Sequence, residues 1–386
     1  MKMSLAQGIT RAMGVVILML GSVSIVLAQD AGLARTPPMG WNSWNHFACK
    51  VTDADVRSAA DAIVANGMKA AGYIYVNIDD CWQGKRDEKG VLHPNEKFPD
   101  MKALADYVHS KGLKVGIYSS PGPKTCARYE GSFGHEEQDA RMYADWGIDY
   151  LKYDYCSFKG DVDAQIAAYV KMHEALVKTG RPIVFSLCQY GMDRVWSWGP
   201  TVGGNLWRTT EDITDEYRSM AFIGFGQSGL ERFAAPGHWN DPDMLEIGNG
   251  HMTHDEYLTH MSLWCILAAP LLAGNDLAKM TPETLEILTN PEVIAVNQDP
   301  AGIQGWRAAQ EGPLEVWVKP LSDGSKAVGL FNRGESLMPV TAYFRDIGVG
   351  EAASVRDLWA KRDLGVVRDH FTTQVPKHGV VLVKVK

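Results

Sequence analysis

At 386 residues, with 46% hydrophobic and 22% charged residues, the chain can bury a large core and is no disordered segment. A formal net charge of −8 without any basic run excludes nucleic acid and an anionic membrane surface as expected partners. Twelve tryptophans and fourteen tyrosines offer stacking faces for sugar rings, although most such rings belong to a core.

Residues 1–28 read as a secretory signal. Lys2 and Arg11 precede an apolar stretch from Met13 to Leu27, and Val26-Leu27-Ala28 supplies small residues for cleavage. The stretch is short against the ~20 residues of a membrane span, so an uncleaved anchor is the competing reading. The expected destination is secreted or periplasmic, with no membrane contact after signal removal. Secretion permits disulfides. The six cysteines, Cys49, Cys81, Cys126, Cys156, Cys188 and Cys265, lack the paired Cys-x-x-Cys spacing of a zinc site. Cys265 lies within Leu263-Trp264-Cys265-Ile266-Leu267 and is expected to be a buried free thiol.

From residue 29 to 302 short β-rich runs alternate with helical patterns. Thr52, with Asp55 three residues on, starts a helix whose stripe is Val56, Ala59, Ala60, Ile63 and Val64. Tyr73–Ile78 is the next strand, and Asp100 opens a helix carrying Met101, Leu104, Ala105 and Val108. Lys114–Tyr118, Tyr150–Asp154 and Ile183–Leu187 follow as buried strands. Leu206–Thr210, the Gly237–Asn240 region and the apolar stretch before Gly274-Asn275-Asp276 are later candidates. About eight strand–helix units fit, which matches a closed (β/α)8 TIM barrel of ~250 residues. An open doubly wound sheet would carry a glycine-rich phosphate loop, and none follows any strand. Residues 303–386 change pattern: Leu314–Val318, Ala327–Phe331 and Gly379–Val383 are strands without helices between them. They predict a C-terminal antiparallel β-sandwich domain that braces the barrel.

Barrel enzymes carry their chemistry where strands end. Acidic residues gather at those positions here: Asp79-Asp80, Asp154, Asp212, and Asp241 with Asp243. Lys152 and Asp154 share a strand face, and an ammonium beside a carboxylate favours the ionised form. That pair alone divides evenly between a structural ion pair and a catalyst. Metal chemistry would want histidine ligands, yet His238 and His251 form no ligating motif, so no metal is expected. Glycoside cleavage needs two carboxyl groups of divergent pKa plus partners for sugar hydroxyls. Lys152, Arg208, Tyr118, Trp41 and Trp207 suit the second requirement.

Six motifs then carry a resemblance. They are Pro37-Pro38-Met39-Gly40-Trp41-Asn42-Ser43-Trp44; Asn77-Ile78-Asp79-Asp80-Cys81-Trp82; Lys124-Thr125-Cys126 with Gly131-Ser132-Phe133-Gly134; Leu151 to Cys156; Trp207 to Ile213; and Trp239-Asn240-Asp241-Pro242-Asp243-Met244. In this order they resemble the α-galactosidases (melibiases) of glycoside hydrolase family 27, from about Leu33 to the C-terminus. The resemblance implies a retaining double displacement on a terminal α-galactoside of an oligosaccharide or polysaccharide, without a cofactor. It implies Asp154 as nucleophile and Asp212 as acid/base. Asp79 and Asp80 match the pair that grips the outer sugar hydroxyls, and Trp41, Tyr118, Lys152, Arg208 and Asp243 match further sugar contacts. It also implies disulfides Cys49–Cys81 and Cys126–Cys156.

One departure stands out. Many relatives carry Cys-Glu-Trp-Gly where this chain has Cys188-Gln189-Tyr190-Gly191. That loop is similar to the one reading the sugar's 2-substituent, and bulky Cys188 and Tyr190 disfavour an N-acetyl group. Aglycone preference stays open, as do the natural glycan and the oligomeric state. The competing readings are a β-L-arabinopyranosidase, whose relatives place a longer carboxylate at the Asp79-Asp80 position, and a catalytically inactive carbohydrate-binding protein.

Overall fold

A computed structural model describes residues 32–386; the signal assigned to residues 1–28 lies outside them. Eight parallel strands form one sheet: β1 (Met39–Asn42), β2 (Tyr75–Asn77), β3 (Lys114–Ser119), β4 (Tyr150–Asp154), β5 (Val184–Cys188), β6 (Leu206–Arg208), β7 (Trp239–Asp241) and β8 (Leu271–Ala273). β8 pairs with β1, and Leu245, just beyond β7, closes the ring. Its N–H donates to Leu272 O at 2.8 Å, and Gly274 N–H donates back to Leu245 O at 3.0 Å. β1 is the strand that sequence patterning did not delimit. Its four residues are all buried and show no alternation to read.

The helices start where local chemistry predicts. Thr52 and Asp55 form a reciprocal capping box at α1 (Asp53–Ala65), and Asp100 caps α2 (Met101–Ser110) through Ala103 N–H. Both predicted stripes face the core except Val64, which is 43% exposed. The remaining barrel helices are α3 (Glu136–Trp146), α4 (Val162–Lys178), α5 (Tyr217–Phe225), α6 (His254–Ile266), α7 (Pro282–Thr289) and α8 (Pro291–Asn297). Short 3-10 turns over Met192–Ser197 and Gly199–Val202 stand where β5 would have its helix.

Strand parity divides the barrel into two cores. Leu151, Tyr153, Phe185, Leu187 and Trp207 point outward into the main core with the helices. Tyr75, Tyr150, Val184, Leu206 and Trp239 fill the inside of the barrel floor. The next inward positions toward the strands' C-terminal ends are Asn77, Lys152, Ser186, Arg208 and Asp241, so the polar residues sit above an apolar plug. Gly116 makes room at this level: a Cβ there would come within 2.0 Å of Asn77 Oδ1.

Beyond the barrel, strands β9 (Trp306–Glu311), β10 (Leu314–Pro320), β11 (Lys326–Asn332), β12 (Met338–Tyr343), β13 (Ala352–Asp357), β14 (Arg362–Arg368), β15 (His370–Val375) and β16 (Val380–Val385) are antiparallel. Six form a sheet in the order β9-β10-β11-β16-β13-β14, and β12 pairs with β15. Val316, Val328, Val340, Phe344 and Val383 lie in its own core. Trp317 and Phe331 pack edge-on against Phe225 of α5, which joins this domain to the barrel. Among the described residues, no helix is long and apolar enough to cross a membrane.

Candidate active site

At the C-terminal ends of the strands lies a cleft of about 650 Å³. Asp79, Asp80, Tyr118, Lys152, Asp154, Tyr190, Arg208, Asp212 and Asp243 all line it. Residues far apart in sequence meet here because they sit at the C-terminal ends of neighbouring strands.

Asp154 ends β4 and is buried. Its Oδ2 accepts a hydrogen bond from the Tyr118 hydroxyl at 2.9 Å, while its Oδ1 makes none within 3.5 Å. Burial raises its pKa, and the Lys152 charge opposes that rise. The direct ion pair of Lys152 is a different one from that expected on β4. Its Nζ lies 2.8 Å from Asp79 Oδ2, because inward side chains of neighbouring strands converge across the barrel mouth. Asp79 also accepts from Asn42 Nδ2 at 2.8 Å and from Asp80 N–H at 2.9 Å. Asp80 accepts from Cys81 N–H at 2.7 Å and Ala127 N–H at 2.8 Å, and burial pushes its pKa up to about 6.

Arg208 organises the opposite side. Its guanidinium is buried, with Nη2 3.0 Å from Asp212 Oδ1 and 3.1 Å from Asp243 Oδ2. Nη2 also donates to Thr210 O at 3.0 Å, and Ile213 N–H donates to Asp243 Oδ2 at 2.9 Å. The Asp212 loop is therefore pinned at both ends, while the Asp212 side chain itself is 61% exposed. Asp243 holds φ +80° and Tyr190 φ +62°, left-handed conformations that cost non-glycine residues energy and cluster at functional sites.

Both disulfides are present, Cys49–Cys81 beside Asp80 and Cys126–Cys156 just past Asp154. The Tyr190 hydroxyl donates to Cys126 Sγ at 3.4 Å, and its ring lies 5.7 Å from the Arg208 guanidinium. Cys188 and Cys265 are buried free thiols.

Three aromatic or thiol candidates are not part of the cleft lining. Trp41 is fully buried and spends its indole N–H on Asn275 O at 2.9 Å. Parity explains it: Gly40 and Asn42 face inward, so Trp41 faces the helices. Trp207 follows the same rule between Leu206 and Arg208, and its N–H goes to Asn240 Oδ1. Cys188 lies beneath the surface, contacting Arg208 Nη1 at 3.7 Å. Among the residues that sequence reasoning did not place in the site, Trp44, Asn45, His46, Glu246, Asn249 and His251 line the cleft. Their signal was position: the first three immediately follow the β1 end, and the others lie on the loop after β7.

The family described as alpha galactosidase A (melibiase) matches residues 36–299, and the alpha galactosidase C-terminal beta sandwich domain matches residues 311–385. An alpha-galactosidase of Cyamopsis tetragonoloba is 49% identical over 358 residues, covering 91% of this chain and 86% of its own. The crystal structure of alpha-galactosidase I from Mortierella vinacea superposes with a TM-score of 0.88 at 39% identity, over 92% of this chain and 98% of that one. A GH27 β-L-arabinopyranosidase from Geobacillus stearothermophilus is more distant, at 28% identity and a TM-score of 0.82 over 92% and 97%. Matched in both domains and along most of its length, the chain belongs to the α-galactosidase (melibiase) family, glycoside hydrolase family 27.

Proposed function

We propose that the cleft hydrolyses terminal α-D-galactosides by a retaining double displacement. Asp154 attacks the anomeric carbon with its Oδ1. The bond from that carbon to the leaving oxygen breaks as Asp212 gives the oxygen its proton. The galactosyl–Asp154 ester then meets water, whose proton passes to Asp212 as its oxygen bonds to the anomeric carbon. Galactose leaves with its α configuration, and both carboxyl groups return to their starting states.

The observation that carries this reading is Asp154, a buried carboxylate in the cleft lining whose Oδ1 makes no hydrogen bond within 3.5 Å and whose pKa the neighbouring Tyr190 hydroxyl helps to lower. Such a group costs stability, and the surrounding fold keeps it. Tyr118 orients the other oxygen. The exposure of Asp212 supports the complementary role, since an acid/base must reach both the departing group and incoming water. Asp79, Asp80, Lys152, Arg208 and Asp243 supply acceptors and donors for the sugar hydroxyls, with Tyr190 above Arg208.

The family's arabinopyranosidases are the second reading. Asp79-Asp80, with two short carboxylates, leaves the C6 hydroxymethyl its space and favours galactose. Turnover of an aryl α-galactoside, an aryl β-L-arabinopyranoside and an aryl N-acetyl-α-galactosaminide decides among them. We expect the first to dominate by at least about tenfold; preferential cleavage of either other substrate, or of none, refutes the assignment. Two disulfides support an oxidising compartment, secreted or periplasmic.

A further inference from the structure

The Tyr190 hydroxyl has no part in the steps above. Tyr190 stands where many relatives carry tryptophan, and a phenol brings a hydroxyl donor to that place. A tight turn after β5 sets the ring. Tyr190 holds φ +62° and Gly191 φ +77°, and a Cβ on Gly191 would come within 2.1 Å of Thr209 O. The ring centroid lies 5.7 Å from the Arg208 guanidinium, whose charge favours the ring face.

Two tyrosines share one disulfide beside Asp154. The Tyr118 hydroxyl donates to Asp154 Oδ2 at 2.9 Å and lies 3.5 Å from Cys156 Sγ. The Tyr190 hydroxyl donates to the other sulfur, Cys126 Sγ, at 3.4 Å. Both sulfurs lie within 4.8 Å of an Asp154 carboxylate oxygen. Sulfur accepts weakly, whereas hydrogen bonds to an ionised carboxylate are about twice as strong as neutral ones. A hydroxyl hydrogen turns about its C–O bond at little cost, so the carboxylate draws the Tyr190 proton. Burial raises the Asp154 pKa; Lys152, then the Tyr190 and Tyr118 hydroxyls, pull it down. Asp79, Cys188 and Tyr169 also face Asp154. Asp79 opposes its ionisation, and burial keeps the Cys188 thiol and the Tyr169 phenol neutral.

We propose that Tyr190 is a second positioning residue for the nucleophile: its hydroxyl, seated on Cys126 Sγ, turns onto the Asp154 carboxylate in the substrate-free cleft and holds it as the anion. The proposal rests on the galactosidase reading and deepens it.

The acidic limb of a kcat/KM profile reports ionisation in the free enzyme. An aryl α-galactoside with a strongly activated leaving group hardly needs a proton from Asp212, so the limb follows the nucleophile. Tyr190→Phe deletes only the hydroxyl, and the anion loses a donor. The Asp154 pKa then rises, and the limb should move up by about 0.5–1 pH unit, with the plateau within about threefold of the unmodified protein. Tyr118→Phe, which gives up the 2.9 Å bond, should move the limb at least as far. A limb that moves in Tyr118→Phe but not in Tyr190→Phe, or a plateau loss in Tyr190→Phe without a shift, overturns the proposal and leaves the galactosidase reading standing. A limb unmoved in both variants removes Asp154 as its source, and the proposal with it. If the unmodified protein fails to hydrolyse the substrate, the galactosidase reading itself falls and takes the proposal with it.

Discussion

Lys152 Nζ and Asp79 Oδ2 lie 2.8 Å apart, an ion pair across the barrel mouth whose carboxylate side chain is only 3% exposed. Lys152 thus binds one acid and acts on another. Its charge is the largest influence pulling the Asp154 pKa down while burial pushes it up. Removing the charge with Lys152→Met should raise the Asp154 pKa further. The proposed nucleophile attacks in its ionised form, so the acidic limb of the kcat/KM profile should move to higher pH. Asp79, left buried without its partner, should cost about 3–5 kcal/mol of stability. A pH–rate profile and a denaturant melt check both, and an unmoved acidic limb would sever Lys152 from Asp154.

Asp154→Asn removes the proposed nucleophile and preserves the shape. Hydrolysis of an aryl α-galactoside should fall on the order of 10³-fold or more, while galactose binding, measured by calorimetry, persists. Near-normal turnover would reassign the nucleophile.

Asp212→Asn should discriminate by leaving group. An aryl galactoside with a strongly activated leaving group hardly needs a proton, so it should suffer much less than a galactosyl disaccharide. Equal losses on the two would remove Asp212 from the acid role.

Trp41 and Trp44 are three residues apart and should behave oppositely. Trp41 is fully buried, so Trp41→Ala should cost about 3–5 kcal/mol in a thermal or denaturant melt. Trp44 is half-buried and lines the cleft, so Trp44→Ala should raise KM for galactosides with little change in stability. A reversal of the two phenotypes would contradict the placement of β1.

Asp241 links pH to stability. Burial raises its pKa from 3.8 to about 6, with Arg208 pulling the other way. Below about pH 4 the group is protonated whether folded or not. Between 4 and 6 the unfolded chain releases its proton first, so folding loses stability as pH rises through that window. The contribution is on the order of 2–3 kcal/mol. His260, held neutral by burial with its pKa lowered to about 3, acts with the opposite sign; it is common to both proteins and cancels between them. The loss of stability from pH 4 to pH 7 should therefore be smaller in Asp241→Asn, as followed by calorimetry. Identical pH slopes in the two proteins would remove Asp241 as its source.

The amino-acid order was enough for the strand–helix alternation and for those elements that carry strong local signals. Capping chemistry at Thr52 and Asp100, β-rich runs such as Tyr150–Asp154, and carboxylates at strand ends are local signals, set by neighbours within a few residues. The barrel also followed, because repeated strand–helix units leave few ways to bury a parallel sheet. Individual side-chain assignments were less legible. Trp41 sits in a family motif, yet period-two parity turns it outward, and that rule needed the β1 register that an unalternating strand does not reveal.

What the sequence determined by itself was therefore fold class, family and the gathering of carboxylates at the strand ends. Only the tertiary structure decided who pairs with whom. Lys152 and Asp154 are two residues apart on one strand, but the ion pair forms with Asp79, 73 positions away. Barrel closure brings strand ends within hydrogen-bond range, and electrostatic energy depends on separation in space. The same closure seats the hydroxyls of Tyr118 and Tyr190 on the two sulfurs of Cys126–Cys156, an arrangement that no spacing in the chain announces.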